Sequence, residues 1–317
     1  MQDKHRYLHF LIEIHRKKFK NMKKTVIQTT EIYLSDVKEL KGFLPNNCIF
    51  SKGATGAGGT TLGLLEDRNT LIVVPYTSMI NNKMVQIHKN SDKMYKYPTL
   101  GVKGDIEASD IESFVNNNSD TNKKIVSTYD SLTKVLEVIN PEEWHILVDE
   151  YHLLLKAYSF RYTAISSVLK NYKKFKSFTF MSATPIDEDF VLDELRKVPV
   201  FEINWLNSRE VVIEGFQCKS VEASAANVII NYLDGEPNTI GKNLHVFCNS
   251  TRFMNKMVTV CGLNDDNSRV IYSKATGAKV TGVTNKETTD PVRKINMYTS
   301  CVFEGTDIYD KDGVTLI

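Results

Sequence analysis

A chain of 317 residues, 42% apolar and 25% charged, has material for two soluble α/β domains and is too long for one small domain. Its formal charge of +2 is too small to argue for a polyanionic partner by itself. No apolar run approaches the roughly 20 residues that cross a bilayer, so no membrane association is expected.

The N-terminal stretch, residues 1–29, reads as a basic arm or amphipathic helix. Lys4, Arg6, Arg16, Lys17, Lys18, Lys20, Lys23 and Lys24 stand there against Asp3 and Glu13. A solvated helix face is the ordinary explanation of such a cluster. His9, Glu13 and His15 interrupt its apolar residues, which a signal-peptide core would tolerate poorly. The five cysteines, Cys48, Cys218, Cys248, Cys261 and Cys301, are scattered and form no CxxC. They suggest neither a disulfide framework nor a zinc site, and a reducing, cytoplasmic setting is expected.

From about residue 30 short apolar runs alternate with helical segments, the pattern of a parallel sheet with crossover helices. The predicted strands are 48–50, 70–76, 124–128, 145–150 and 177–183. Their apolar residues are continuous rather than alternating, as in strands covered on both faces. A domain boundary is placed at 198/199, giving a first α/β domain over 30–198 and a second over 199–317. The second begins with a predicted strand at 211–218 and continues with a helix at 221–234 and a strand at 244–250. A helix at 251–261 follows, then strands at 269–273 and 294–300, and VTLI at 314–317 has the look of a further buried strand.

The segment CIFSKGATGAGGTTLGLL joins a strand to a glycine-rich loop and a helix. Against the pattern GxxxxGK[ST], Gly53 and Gly58 take the glycine positions and Thr60 the hydroxyl position. Glycines let backbone N–H groups curl around phosphate oxygens. The loop residues Gly53, Thr55, Gly56, Gly58, Gly59, Thr60 and Thr61 are the candidate nucleotide-binding set, with Thr60 offering its hydroxyl to magnesium. The departure is Gly59, where the pattern has lysine. Three readings stand: nucleotide binds weakly, another cation such as Lys52 substitutes, or the loop is only structural. If only the charge is missing, Gly59→Lys is expected to raise turnover.

HILVDEYH ends a strand on Asp149 and Glu150, followed by His152, 89 residues after Thr60. At the carboxyl end of a parallel strand beside a phosphate loop, Asp149 can hold magnesium and Glu150 can orient and deprotonate an attacking water. His152 can report nucleotide state to neighbouring segments.

These segments resemble the helicase core of superfamily 2. DEYH is similar to the DExH form of that family's motif II, and FMSATP to motif III, in which Ser182 and Thr184 couple the acidic motif to the nucleic-acid cleft. VVPYTSMI and STYDSL resemble motifs Ia and Ib, placing Pro75, Tyr76, Thr128 and Asp130 at strand ends that hold a nucleic-acid backbone. VFCNS resembles motif IV with Asn249 and Ser250. TSCVFEGTDI resembles motif V with Thr299, Glu304, Gly305 and Asp307, the last two as coupling residues. The resemblance covers about 45–317 and implies two RecA-like domains of the P-loop NTPase fold, the second incomplete. It also implies ATP and Mg2+ as cofactors and DNA or RNA, held as a single tracking strand, as partner. The implied activity is ATP-driven movement along a nucleic acid. Motif VI, with its arginines, is expected after VTLI, where this sequence ends. That leaves a fragment, a protein partner supplying the arginine, or a chain that does not hydrolyse. The alternative function is a pseudo-helicase acting as a nucleotide-sensing or nucleic-acid-binding scaffold. A P-loop kinase would account for the loop but not for the later motifs.

Overall fold

A computed structural model of the chain describes residues 23–90, 95–157, 161–184, 186–187, 191–207, 214–235, 241–273, 277, 279–302, 308, 310 and 313–317. Most of the expected basic arm, residues 1–22, lies outside them. The chain forms two compact units, one running to Arg209 apart from Asn81–Val85, the other from Glu210.

The first unit holds eight strands: β1 Lys24–Thr29, β2 Cys48–Ser51, β3 Thr70–Val74, β4 Thr99–Val102, β5 Lys124–Thr128, β6 His145–Asp149, β7 Ser177–Ser182 and β8 Val200–Trp205. They make one sheet in the order β1-β8-β2-β7-β6-β3-β5-β4, parallel at every pairing. Between them run α1 Gly59–Leu65, α2 Thr77–Asn90, α3 Ala108–Asn117, α4 Leu132–Leu136, α5 Leu153–Ala157 and α6 Tyr162–Asn171. Every residue of β2, β3, β5 and β6 is buried, because helices cover both faces of the sheet. The core joins Ile49, Val73, Ile125, Ile146, Val148 and Phe180 of the sheet to Ile165 and Val168 of α6. Tyr172 closes it, meeting Phe178 and Phe180 edge-on at ring separations of 4.7 and 5.0 Å.

The second unit has β9 Asn243–Phe247, β10 Ser268–Ile271, β11 Ile295–Tyr298 and β12 Gly313–Leu316, again all parallel, in the order β10-β11-β9-β12. Among the described residues two α-helices accompany them, α7 Val221–Asp234 and α8 Thr251–Cys261. Each opens on a serine whose side chain accepts a backbone N–H, Ser220 and Ser250, and closes on a left-handed glycine, Gly235 and Gly262. Ile229, Met254 and Met257 pack on Leu244, Val246, Val270, Ile295 and Met297.

Three expectations are corrected. β8 lies beyond the 198/199 boundary, yet it pairs with β1 and β2, so the first unit continues past it. β1 forms within the stretch expected as an arm, held by its register with β8 from Lys24↔Val200 to Thr29↔Trp205. Of the strand expected over 211–218, residues 214–218 carry no strand and 211–213 lie outside the described residues. The strand expected at VTLI is present as β12, but its residues are exposed or half-buried and not buried as expected, because it lies at the edge of the sheet.

Candidate functional site

In a doubly wound parallel sheet, ligands meet the loops that leave the carboxyl ends of the strands. Here β2, β7 and β6 are consecutive in the sheet, and the segments that follow them carry the glycine loop, Ser182 with Thr184, and the acidic motif.

The loop after β2 turns on three glycines in the left-handed region, Gly53, Gly56 and Gly58, with φ of 70°, 69° and 80°. At Gly53 the requirement is steric as well, since a Cβ would lie 2.4 Å from the Ile203 carbonyl oxygen. Thr55 and Gly56 are exposed at the loop tip, and Thr61 is half-buried in α1. Thr60, at the start of α1, is buried, and its hydroxyl donates to Asp149 Oδ2 at 2.6 Å.

Glu150 occupies an unusual backbone position, with φ of 51°. A non-glycine residue in this region carries strain of about 1–3 kcal/mol that its surroundings must hold in place. Three contacts do so. The Tyr129 hydroxyl donates to the Asp149 carbonyl at 2.6 Å, the Glu150 N–H donates to Asp149 Oδ1 at 2.9 Å, and the Tyr151 N–H donates to the Met181 carbonyl at 3.1 Å. Burial and the neighbouring carboxylates of Asp149 and Glu150 hold the Tyr129 phenol well above its usual range, so it stays a donor.

A polar chain then leaves the acidic motif. His152 Nδ1 lies 3.3 Å from Glu150 Oε2 and 2.8 Å from Ser182 Oγ. Ser182 Oγ donates to the Thr184 carbonyl at 2.8 Å and accepts from the Thr184 N–H at 3.0 Å. His152 Nδ1 thus stands between the Glu150 carboxylate and the Ser182 hydroxyl. Thr60, Asp149, Glu150, His152, Ser182 and Thr184 thus form one connected cluster.

Lys52 also enters this cluster. It is buried, with Nζ 3.2 Å from Glu150 Oε1 and 3.8 Å from Asp149 Oδ1. Its backbone is held on both sides: the N–H donates to the Ser182 carbonyl at 2.9 Å, and the carbonyl accepts from the Trp205 indole at 2.7 Å.

The Ia- and Ib-like residues stand at the ends of β3 and β5. Pro75 is buried and Tyr76 half-buried. The Thr128 hydroxyl meets Ser131 Oγ at 3.0 Å and accepts the Ser131 N–H at 3.2 Å, closing a local turn. Arg161 fastens the two ends together. It donates to the Pro75 carbonyl at 2.8 Å, pairs with the Asp130 carboxylate, and lies 5.6 Å above the Tyr129 ring. Tyr129 and Arg161 escaped the sequence reading. Tyr129 sits between two chosen residues, Thr128 and Asp130, and its buried hydroxyl is the signal that spacing could not give.

On the second unit, Asn249 Oδ1 accepts the Ser300 N–H at 3.3 Å and Ser250 caps α8 through the Phe253 N–H at 3.1 Å. Thr299 follows β11, buried, with its N–H on the Ile271 carbonyl at 3.0 Å. Asn249 and Ser250 are exposed past the end of the neighbouring strand β9. Glu304, Gly305 and Asp307 lie outside the described residues.

The donors fit the implied groups. Asp149 with the Thr60 hydroxyl is a hard oxygen pair of the kind magnesium takes, and the glycine loop is a backbone concavity of the kind that takes phosphate.

At the level of sequence, no family model and no curated protein matches the chain. Solved structures do match in fold. S. cerevisiae Dbp5 bound to RNA and ADP BeF3 superposes with a TM-score of 0.54 at 15% identity, over 88% of this chain and 72% of that one. Mss116p bound to ssRNA and AMP-PNP gives a TM-score of 0.54 at 15% identity, over 84% of this chain and 60% of that one. The Escherichia coli DEAH/RHA helicase HrpB gives 0.50 at 14%, over 82% of this chain and 33% of that one. The chain shares the RecA-like α/β fold of these helicase structures, with parallel sheets in both units.

Proposed function

We propose that this chain is an ATP-dependent nucleic-acid helicase or translocase of the DExH type, working in the cytoplasm. The observation that carries the reading is the unbroken chain from Thr60 through Asp149, Glu150 and His152 to Ser182 and Thr184. It runs from the phosphate loop to the segment after β7, the route along which nucleotide state would be passed on.

Asp149 and Thr60 would hold Mg2+, which supplies charge neutralisation at the phosphates. Glu150, fixed by its backbone, is the general base for water. His152 and Ser182 carry the coupling, with Gly305 and Asp307 as their proposed counterparts in the second unit. Pro75, Tyr76, Thr128, Asn249, Ser250 and Thr299 are the proposed contacts to a single nucleic-acid strand. The RNA-bound states of Dbp5 and Mss116p support this partner class.

A second reading, a nucleotide-sensing scaffold, is favoured by the ion pair that engages Glu150 Oε1 with Lys52. Steady-state ATP hydrolysis with and without single-stranded RNA or DNA separates the two. A helicase or translocase hydrolyses ATP, and Glu150→Gln lowers its kcat by about 10²–10⁴-fold with little change in nucleotide affinity. Binding without turnover, unaffected by Glu150→Gln, selects the scaffold.

A further inference from the structure

We propose that Lys52 is the phosphate-binding cation of this site, supplying from the start of the loop the charge that GxxxxGK[ST] places at its end. The inference rests on the nucleotide-binding reading above and assigns it a residue that the motif does not contain.

Three observations converge. The first concerns space. A Cβ on Gly59 would lie 2.4 Å from Met181 Sδ, 2.7 Å from Met181 Cε and 3.4 Å from Lys52 Cδ. A side chain at 59 would have to turn the flexible Met181 tip aside, while the Lys52 stem stands at ordinary contact distance. The Lys52 side chain thus runs beside the position that the usual pattern gives to lysine.

The second concerns direction. The Lys52 backbone is held between the Ser182 carbonyl and the Trp205 indole, and its carbonyl also accepts the Ala54 N–H at 2.8 Å. The side chain is thereby sent under the loop instead of into solvent, and the residue is only 7% exposed.

The third concerns charge. A buried ammonium is costly unless paired. Lys52 meets the two carboxylates of the acidic motif, Glu150 Oε1 and Asp149 Oδ1. Two carboxylates and one ammonium leave a local excess of negative charge that Mg2+ would offset. The ammonium is then the group nearest the acidic motif that a polyphosphate can recruit. A lysine serves here as a compact, mobile point charge, which suits a change of partner between carboxylate and phosphate. Transfer of Lys52 toward phosphate releases Glu150 Oε1, so the base is masked until a nucleoside di- or triphosphate arrives.

Calorimetry of the full chain with AMP, ADP and AMP-PNP, in Mg2+, tests the assignment on four proteins: wild type, Lys52→Met, Glu150→Gln and Lys52→Met/Glu150→Gln. We expect Lys52→Met to weaken ADP and AMP-PNP by about 10- to 100-fold, the range of a hydrogen bond to a charged group, and to leave AMP unchanged. Lys52→Met strands a buried carboxylate and can unfold, so the double variant, whose pair is neutral, carries the decision once its thermal melt shows it folded. If Lys52 binds phosphate, the double variant stays weak for AMP-PNP relative to Glu150→Gln. If Lys52 only balances Glu150, the double variant binds AMP-PNP as Glu150→Gln does, and the inference is overturned while nucleotide binding stands. Absence of AMP-PNP binding to wild type overturns the nucleotide-binding reading and this inference together.

Discussion

Gly59 illustrates what a single position conceals. In the sequence it reads as a missing charge, and Gly59→Lys is expected to restore it. The structure adds a neighbour the sequence does not show, because the tip of Met181 must move for any side chain at 59. We expect Gly59→Ala to destabilise the first unit by about 1–3 kcal/mol, as overpacking does, measured as a shift in the urea midpoint. Met181→Ala in the same chain should recover most of that loss; an undiminished loss would mean that Met181 is not the obstacle. Gly59→Lys alone should give no gain in turnover. Nothing local in the sequence marks Met181. Its relation to the loop comes from the parallel register Phe50↔Met181, which brings residues 131 positions apart onto adjacent strands. By contrast the grouping of Thr60, Asp149, Glu150, His152 and Ser182 was legible, since each sits at a fixed offset from a buried strand.

At the level of elements, legibility follows burial. β2, β3, β5, β6 and β7 are covered on both faces, and their continuous apolar runs announce them. β1, β4 and β8 went unread as strands. β1 and β4 are the sheet's outer strands, β8 lies beside β1, and all three are only partly buried and mix polar with apolar residues. Their places are set by pairing, a long-range property. Side-chain ties between elements are equally hidden, and Tyr129 is the instructive case. Its hydroxyl, from the end of β5, holds the Asp149 carbonyl at the end of β6 and lies 3.3 Å from that of Glu150. Tyr129→Phe keeps the ring and removes the bond. We expect a stability loss of about 1–3 kcal/mol, the cost of a buried acceptor left unsatisfied. We also expect turnover to fall by about 10- to 100-fold, since the strained Glu150 backbone loses its clamp and a base displaced by about an ångström works poorly. Chemical denaturation and ATPase assays check both. A stability loss with full turnover would show that Glu150 holds its position without Tyr129.

Across the whole sheet of the first unit, the proposed site and a row of buried stabilising residues occupy opposite strand ends. The acidic motif and loop lie at the carboxyl ends. At the amino ends Thr70, Lys124, His145 and Ser177 stand in one row of paired residues. Lys124 Nζ donates to the carbonyls of Glu66 and Arg68 at 2.7 and 2.8 Å and to Thr70 Oγ1 at 3.0 Å, 5.1 Å from the centre of the Tyr97 ring. Burial pushes its ammonium down to about 7, against the upward pull of the Glu66 carboxylate. Burial, with Arg68 and Lys124 nearby, also holds His145 well below its usual range. Both are bases depressed by folding, so their sign is the same. Between about pH 7 and the ordinary lysine value of 10.5 the unfolded chain keeps a proton on Lys124 that the folded chain has released. The unfolded state binds more protons there, and stability rises with pH. His145 adds a loss of stability as pH falls below 6.5, where the unfolded histidine charges first. We therefore expect the urea midpoint to climb from pH 6 to pH 9.5. Lys124→Met should flatten the climb above pH 7 by up to one proton, about 1.4 kcal/mol per pH unit. An unchanged slope in that variant would place the titration elsewhere. Because Lys124 lies at the strand ends away from the loop, the same variant should leave AMP-PNP affinity at pH 7.5 unaltered, which separates the stability of the sheet from the chemistry it presents.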